Sequence, residues 1–170
     1  EQTRAGAMED GIVDDAVIAA SGAQGAELWR IRETIPEAQV NAGGSIKHDV
    51  SVPVSKVPEF LVRGQQIVEA EINGVRVVAF GHLGDGNIHF NLSQPEDTEG
   101  ETFLAKWERV NRLVLDLVDD LGGSFSAEHG IGVLKKDDLK RYTSAVELEL
   151  MQTLKQTLDP KGIMNPGKVL

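Results

Sequence analysis

Two β-rich runs, Val75 to Phe80 and Asn87 to Leu92, follow each other across the short glycine-rich stretch Gly81 to Gly86. Parallel strands need a crossover of a dozen or more residues, so this spacing dictates an antiparallel pair and excludes a series of strict βα units. Further β-rich runs, Asp15 to Ala19 and Ile46 to Val52, raise the expected count to four strands. Helical patterns surround them. From 102 to 121, apolar residues recur at steps of three and four (Phe103, Trp107, Val110, Val114, Leu117, Leu121) up to a Gly122-Gly123 stop, and this predicts one long amphipathic helix. Ser144 and Glu147 form a capping box ahead of a last helix that ends at Asp159-Pro160. Ser55 to Ile72 reads as another helix, with Phe60, Leu61, Ile67 and Val68 facing inward, and Ala23 to Ile35 as a fourth. The fold class is therefore α+β, an antiparallel sheet with helices packed on one face. The segment from Asp159 to Lys168, with two prolines and two glycines, is expected to be a turning arm and not a helix.

A length of 170 residues suits one ordinary domain with a real core. Seventeen basic against 27 acidic residues leave a net charge of -10, which disfavours nucleic acid and anionic membrane as partners. Cysteine is absent, so thiolate chemistry, iron–sulfur clusters and Cys-type zinc sites are excluded and any metal must use His, Asp or Glu. The same absence fits a reducing compartment, and a cytoplasmic location is expected. No apolar run is long enough to span a membrane. The chain opens on a helical-looking stretch, Glu1 to Ala5, without an initiator Met, and this suggests part of something larger.

Three of the four histidines lie in two short segments. In Gly81-His82-Leu83-Gly84-Asp85-Gly86-Asn87-Ile88-His89-Phe90-Asn91, two histidines flank a turn. Chain reversal there can bring His82 and His89 together, whereas on one straight strand they would stand over ~20 Å apart. Asn91 falls two residues after His89 and so on the same strand face. In the second segment, Ser126-Ala127-Glu128-His129-Gly130-Ile131-Gly132, an acid and an imidazole are adjacent. His82, His89 and Glu128 make the ligand set of a catalytic zinc site, and the same set suits non-haem iron or manganese. His129 is then the spare imidazole, a natural proton acceptor at neutral pH. Read more plainly, histidines beside turns serve only as hydrogen-bonding residues and Asp85 as a turn residue. His48 reads as structural, since alternation puts it with Ile46, Val50 and Val52, opposite Lys47, Asp49 and Ser51. A binding module for a metal or small molecule, without turnover, is the second functional class that fits.

Both histidine segments, together with the ending Asp159-Pro160-Lys161-Gly162-Ile163-Met164-Asn165-Pro166-Gly167-Lys168, resemble the C-terminal domain of FAD-linked oxidases and dehydrogenases. The likeness is to the branch that holds D-2-hydroxyglutarate dehydrogenase, cytochrome-linked D-lactate dehydrogenase and the glycolate oxidase D subunit. It implies that residues 1–170 are a substrate or cap domain, entered slightly after its first strand, with the FAD-binding domain outside the chain. An open sheet edge would then invite pairing with a second copy, a homo-dimer. The implied reaction oxidises a D-2-hydroxy acid, D-2-hydroxyglutarate or D-lactate, to the 2-oxo acid with FAD as hydride acceptor. An electron-transfer flavoprotein, a quinone or a cytochrome then reoxidises the flavin.

Residue by residue, the resemblance assigns His82, His89 and Glu128 to the metal, usually zinc, and His129 to catalysis. It gives Arg32, Lys47 and Asn91 to the substrate and Asn165 to the cofactor. One position departs: members that take dicarboxylates carry a hydroxyl residue four places after the first arginine, where this chain has Pro36.

Overall fold

The computed structural model describes residues 2–170, which divide into two compact units, one ending at Asn41 and the other running from Ala42 to Leu170. The first unit holds α1 (Gln2–Glu9), α2 (Gly22–Glu33) and α3 (Ile35–Val40). Ser21 caps α2 by accepting the Gln24 N–H at 3.2 Å, and Pro36 sits in the first turn of α3, where its missing N–H is no loss. The strand expected at residues 15–19 does not form. Local side-chain bonds take the amides that a ladder would use: Asp15 Oδ1 accepts from the Ala16 N–H and Gln24 Oε1 from the Ala20 N–H, both at 2.7 Å.

The second unit is built on a sheet that is three-stranded among the described residues. Its strands are β1 (Ser45–Ser51), β2 (Arg76–His82) and β3 (Asn87–Ser93), antiparallel in the order β1-β3-β2. Alternation sorts the side chains cleanly. Ile46, His48, Val50, Ile88, Phe90 and Leu92 turn to the core face, where α4 (Val57–Glu71) and α6 (Trp107–Asp120) cover them. Phe60 of α4 meets the Phe90 ring edge-on at 5.2 Å. Gly64 allows that approach, because a β-carbon there would stand 3.2 Å from the tip of the Phe90 ring. The opposite face carries Lys47, Asp49, Phe80, His82, Asn87, His89 and Asn91. Helices thus occupy one face of the sheet and the polar groups the other.

The helix expected over 102–121 is two helices, α5 (Gly100–Leu104) and α6, separated at Ala105 and Lys106. At the break Lys106 swings to donate to the Glu71 carbonyl at 2.8 Å, closing the C-terminal end of α4, while Phe103 stays in the core. The apolar period runs on across this break, which is why the sequence reads as continuous. Trp107, placed on the inward stripe by spacing, is half exposed. Two further helices complete the unit, α7 (Lys136–Tyr142) and α8 (Ala145–Leu158). The capping box forms as the sequence requires: Ser144 Oγ accepts the Glu147 N–H, and Glu147 Oε2 accepts the Ser144 N–H. The segment after Leu158 turns without a helix, anchored by Asp159, whose carboxylate accepts the Ile163 and Met164 amides at 2.9 Å. Among the described residues no helix is long and apolar enough to cross a membrane.

Candidate active site

The turn between the site histidines depends on one glycine. Leu83–Asp85 form a single 3-10 turn, and Gly86 closes it in the left-handed region at φ 66°. A β-carbon on Gly86 would fall 1.9 Å from the Val52 carbonyl oxygen, so no other residue fits. The reversal pairs His82 with Asn87 and Phe80 with His89, which puts both histidines on the polar face. Phe80 also packs beside the His89 ring at 5.0 Å.

The Glu128-His129 segment reaches this face along the outer edge of β1. Ser51 and Ser124 exchange both backbone hydrogen bonds, at 2.9 and 2.8 Å, and the Ala127 N–H donates to the Asp49 carbonyl. Gly123 permits the contact, since a β-carbon there would lie 2.2 Å from the Ser51 oxygen. Lys135 braces the segment from below by donating to Phe125 O and Ser126 Oγ, each at 3.1 Å. Burial pulls the Lys135 ammonium below the ordinary lysine value, against the opposing pull of the Asp49 and Asp138 charges.

The two segments converge on the Glu128 carboxylate. Its Oε1 lies 2.9 Å from His82 Nδ1 and its Oε2 3.7 Å from His89 Nε2. The structure therefore sets His82 and His89 each against the Glu128 carboxylate, and two imidazoles and a carboxylate are donors of the zinc type; yet among the described residues the group with ligand atoms all within 4.8 Å of one another is Asp49, His89 and His129, without His82 or Glu128. His129 stacks on His89 with ring centres 5.9 Å apart, and its side chain is exposed on the open side of the cluster. Lys47 and Asn91 are direct partners in the β1–β3 register on the same face, the lysine exposed and the asparagine buried.

Two assigned residues lie away from these strands in the chain. Arg32 is in the last turn of α2 in the first unit. Asn165 lies in the arm after α8 with a left-handed φ of 48°, and its carbonyl accepts the Lys168 N–H.

Strand alternation alone gives Asp49 no role beyond the outward face, yet it is 3% exposed and sits at the centre of the cluster. Its Oδ2 accepts the N–H groups of Glu128 and His129 at 2.7 and 2.8 Å, and its Oδ1 accepts from the Asn87 amide at 3.1 Å. Burial works to raise its pKa and is outweighed by those hydrogen bonds and by the His129 charge, so the carboxyl lies below its ordinary value. It is Asp49, together with His89 and His129, that completes the group of ligand-type atoms within 4.8 Å of one another. The signal that could have exposed Asp49 is an acid in mid-strand, directly across a strand pair from His89.

His48, by contrast, is fully on the core side. Its Nδ1–H donates to the Phe90 carbonyl at 2.8 Å, and burial drives its pKa down to about 4.

Comparison with known proteins adds an independent line. The model of the family described as FAD linked oxidases, C-terminal domain, matches residues 1–169. The chain is 44% identical over 162 residues to a D-2-hydroxyglutarate dehydrogenase of Xanthomonas citri pv. viticola, covering 95% of this chain and 34% of that protein. It is 41% identical to the D-2-hydroxyglutarate dehydrogenase of Stutzerimonas stutzeri, covering 95% of this chain and 35% of the relative. The corresponding figure for the mitochondrial D-2-hydroxyglutarate dehydrogenase of Arabidopsis thaliana is 39%, covering 96% and 28%. The chain thus spans about a third of the length of the curated relatives it matches. With the family model matched across residues 1–169, the chain belongs to the C-terminal domain family of the FAD linked oxidases.

Proposed function

We propose that this chain is the substrate-holding part of an FAD-linked D-2-hydroxy acid dehydrogenase, with D-2-hydroxyglutarate preferred over D-lactate. The observation that carries the reading is the convergence of His82 and His89 on the Glu128 carboxylate, with His129 stacked beside them. The names of the relatives support the choice of acid.

In this reading His82, His89 and Glu128 hold a divalent cation, zinc by donor type. With both groups bound, the cation would polarise the 2-hydroxyl of the substrate and FAD would accept the hydride from C2. The cluster suits a cation and not the flavin's pyrophosphate, which would meet the Asp49 and Glu128 carboxylates, so these residues serve the substrate side. His129, exposed on the open side, takes the hydroxyl proton on its imidazole. Lys47 and Asn91, paired across β1 and β3, bind substrate carboxylate oxygens, and Arg32 supplies the second cation that a dicarboxylate needs. Asn165 contributes on the cofactor side. This reading keeps the protein in the cytoplasm, the reducing compartment that a cysteine-free chain fits, whereas the Arabidopsis relative is named as mitochondrial.

The test is turnover of D-2-hydroxyglutarate and D-lactate by the holoenzyme alongside its metal content. Metal-dependent oxidation that collapses in His89→Ala is expected. Full activity in a metal-free preparation, or unaltered metal content in His89→Ala, overturns the reading.

A further inference from the structure

We infer that Asp49 is the positioning residue of this site: one buried carboxylate sets both the Glu128–His129 backbone and the His89 ring. The inference rests on the metal reading above. Glu128 and His129 lie 79 and 80 residues beyond Asp49, and both of their amides close on a single oxygen, Oδ2. Two charge-assisted bonds from consecutive amides fix the peptide plane as well as its position. The placement of the Glu128 carboxylate and the His129 ring follows from that anchor.

The other oxygen faces the histidine ligand. Asp49 Oδ1 lies 3.6 Å from His89 Nδ1, while the opposite ring nitrogen, Nε2, points at Glu128 Oε2. An anion behind Nδ1 keeps the proton on that nitrogen and leaves the Nε2 lone pair for a metal, the usual role of a carboxylate backing a histidine ligand. Asp49 is poorly suited to be a ligand itself, although it lies within reach of His89 and His129. Its two oxygens already accept three N–H···O bonds, with which a cation would have to compete. The carboxylate therefore acts through its neighbours.

Asn87 makes the experiment clean. Its Oδ1 is buried without a hydrogen-bond partner, so in Asp49→Asn the Asn87 amide can turn over and accept from the new side-chain amide. One oxygen remains for the two backbone N–H groups. Asp49→Asn thus keeps the packing and removes the charge behind His89.

Titration of the full-length protein, first stripped of metal, with Co(II), followed by its visible absorption and by chelator competition, reads the effect directly. Affinity should fall about 10- to 100-fold in Asp49→Asn, with a changed spectrum and a nearly unchanged melting temperature. Val50→Ala, which opens the core on the opposite face, should lower the melting temperature and leave Co(II) affinity at the wild-type value. Wild-type affinity and spectrum in Asp49→Asn overturn the inference, as does an equal loss of affinity in Val50→Ala. Asn87→Ser, which removes the amide steadying the same carboxylate without touching β1, should weaken Co(II) in the same direction. Unchanged affinity there overturns the inference even if Asp49→Asn does not fold. Co(II) binding that survives in His82→Ala sinks the metal reading, whereas loss in His82→Ala with none in Asp49→Asn sinks the role of Asp49 alone.

Discussion

His82 Nδ1 lies 2.9 Å from Glu128 Oε1, although 46 residues separate the two in the chain. The same carboxylate reaches toward His89 with its other oxygen. Removing the charge while keeping the shape, as in Glu128→Gln, should weaken divalent metal binding by more than about tenfold, because a ligand contributes at least as much as the outer partners that support it. Chelator competition against the wild-type protein measures this. Equal affinities would remove Glu128 from the ligand set.

His129 stacks on the His89 ring at 5.9 Å, and the proposed function leaves it out of the ligand set. The proposed function has His129 take the hydroxyl proton, so His129→Ala should slow flavin reduction in the holoenzyme by about 10²- to 10⁴-fold and leave metal content intact. Stopped-flow reduction at saturating substrate is the measurement. A loss of less than about threefold would assign the proton to another group.

Lys47 sits exposed beside buried Asn91 on the site face, and the proposed function makes Arg32 the second cation for substrate. A charge-assisted bond is worth about 1.5–3 kcal/mol, or roughly ten- to a hundredfold in affinity. Arg32→Ala should cost that much in kcat/KM for D-2-hydroxyglutarate and far less for D-lactate, which has no distal carboxylate. Lys47→Ala should lower kcat/KM for at least one acid by a similar factor. Parallel losses for both acids in Arg32→Ala would detach Arg32 from the distal carboxylate.

The parts of this structure legible in the sequence are those fixed by local rules. The antiparallel pair around Gly86 follows from loop length, the start of α8 from the Ser144-Glu147 box, and the face shared by His89 and Asn91 from strand alternation. What escaped was set by distant partners. Helix α7 has little apolar period to read, with Leu139 its one buried apolar residue; its signal was charge, Asp137 and Asp138 in the first turn against Lys140 and Arg141 in the last. The break at Ala105 and Lys106 is tied to the Glu71 carbonyl on another helix. Asp49 matters through backbone amides some 80 residues away, which no spacing in its own strand can announce.

His48 donates its Nδ1–H to the Phe90 carbonyl, while its Nε2 is buried without a partner. A proton on Nε2 would be a charge with no solvation, and burial accordingly lowers the pKa from 6.5 to about 4. Because the folded value is the depressed one, the unfolded chain binds the proton first as pH falls below 6.5. Between 6.5 and about 4 the native state loses stability, and above that window His48 is neutral in both states and contributes no pH dependence. At pH 5 the loss relative to pH 8 is about 2 kcal/mol from this residue. Urea unfolding at the two pH values measures it, with His48→Leu as the comparison, since leucine removes the titrating group and keeps the position apolar. The gap in unfolding free energy between pH 8 and pH 5 should shrink by about that amount in His48→Leu. An equal gap in both proteins would mean that other groups carry the acid sensitivity and that His48 is protonated without cost in the fold.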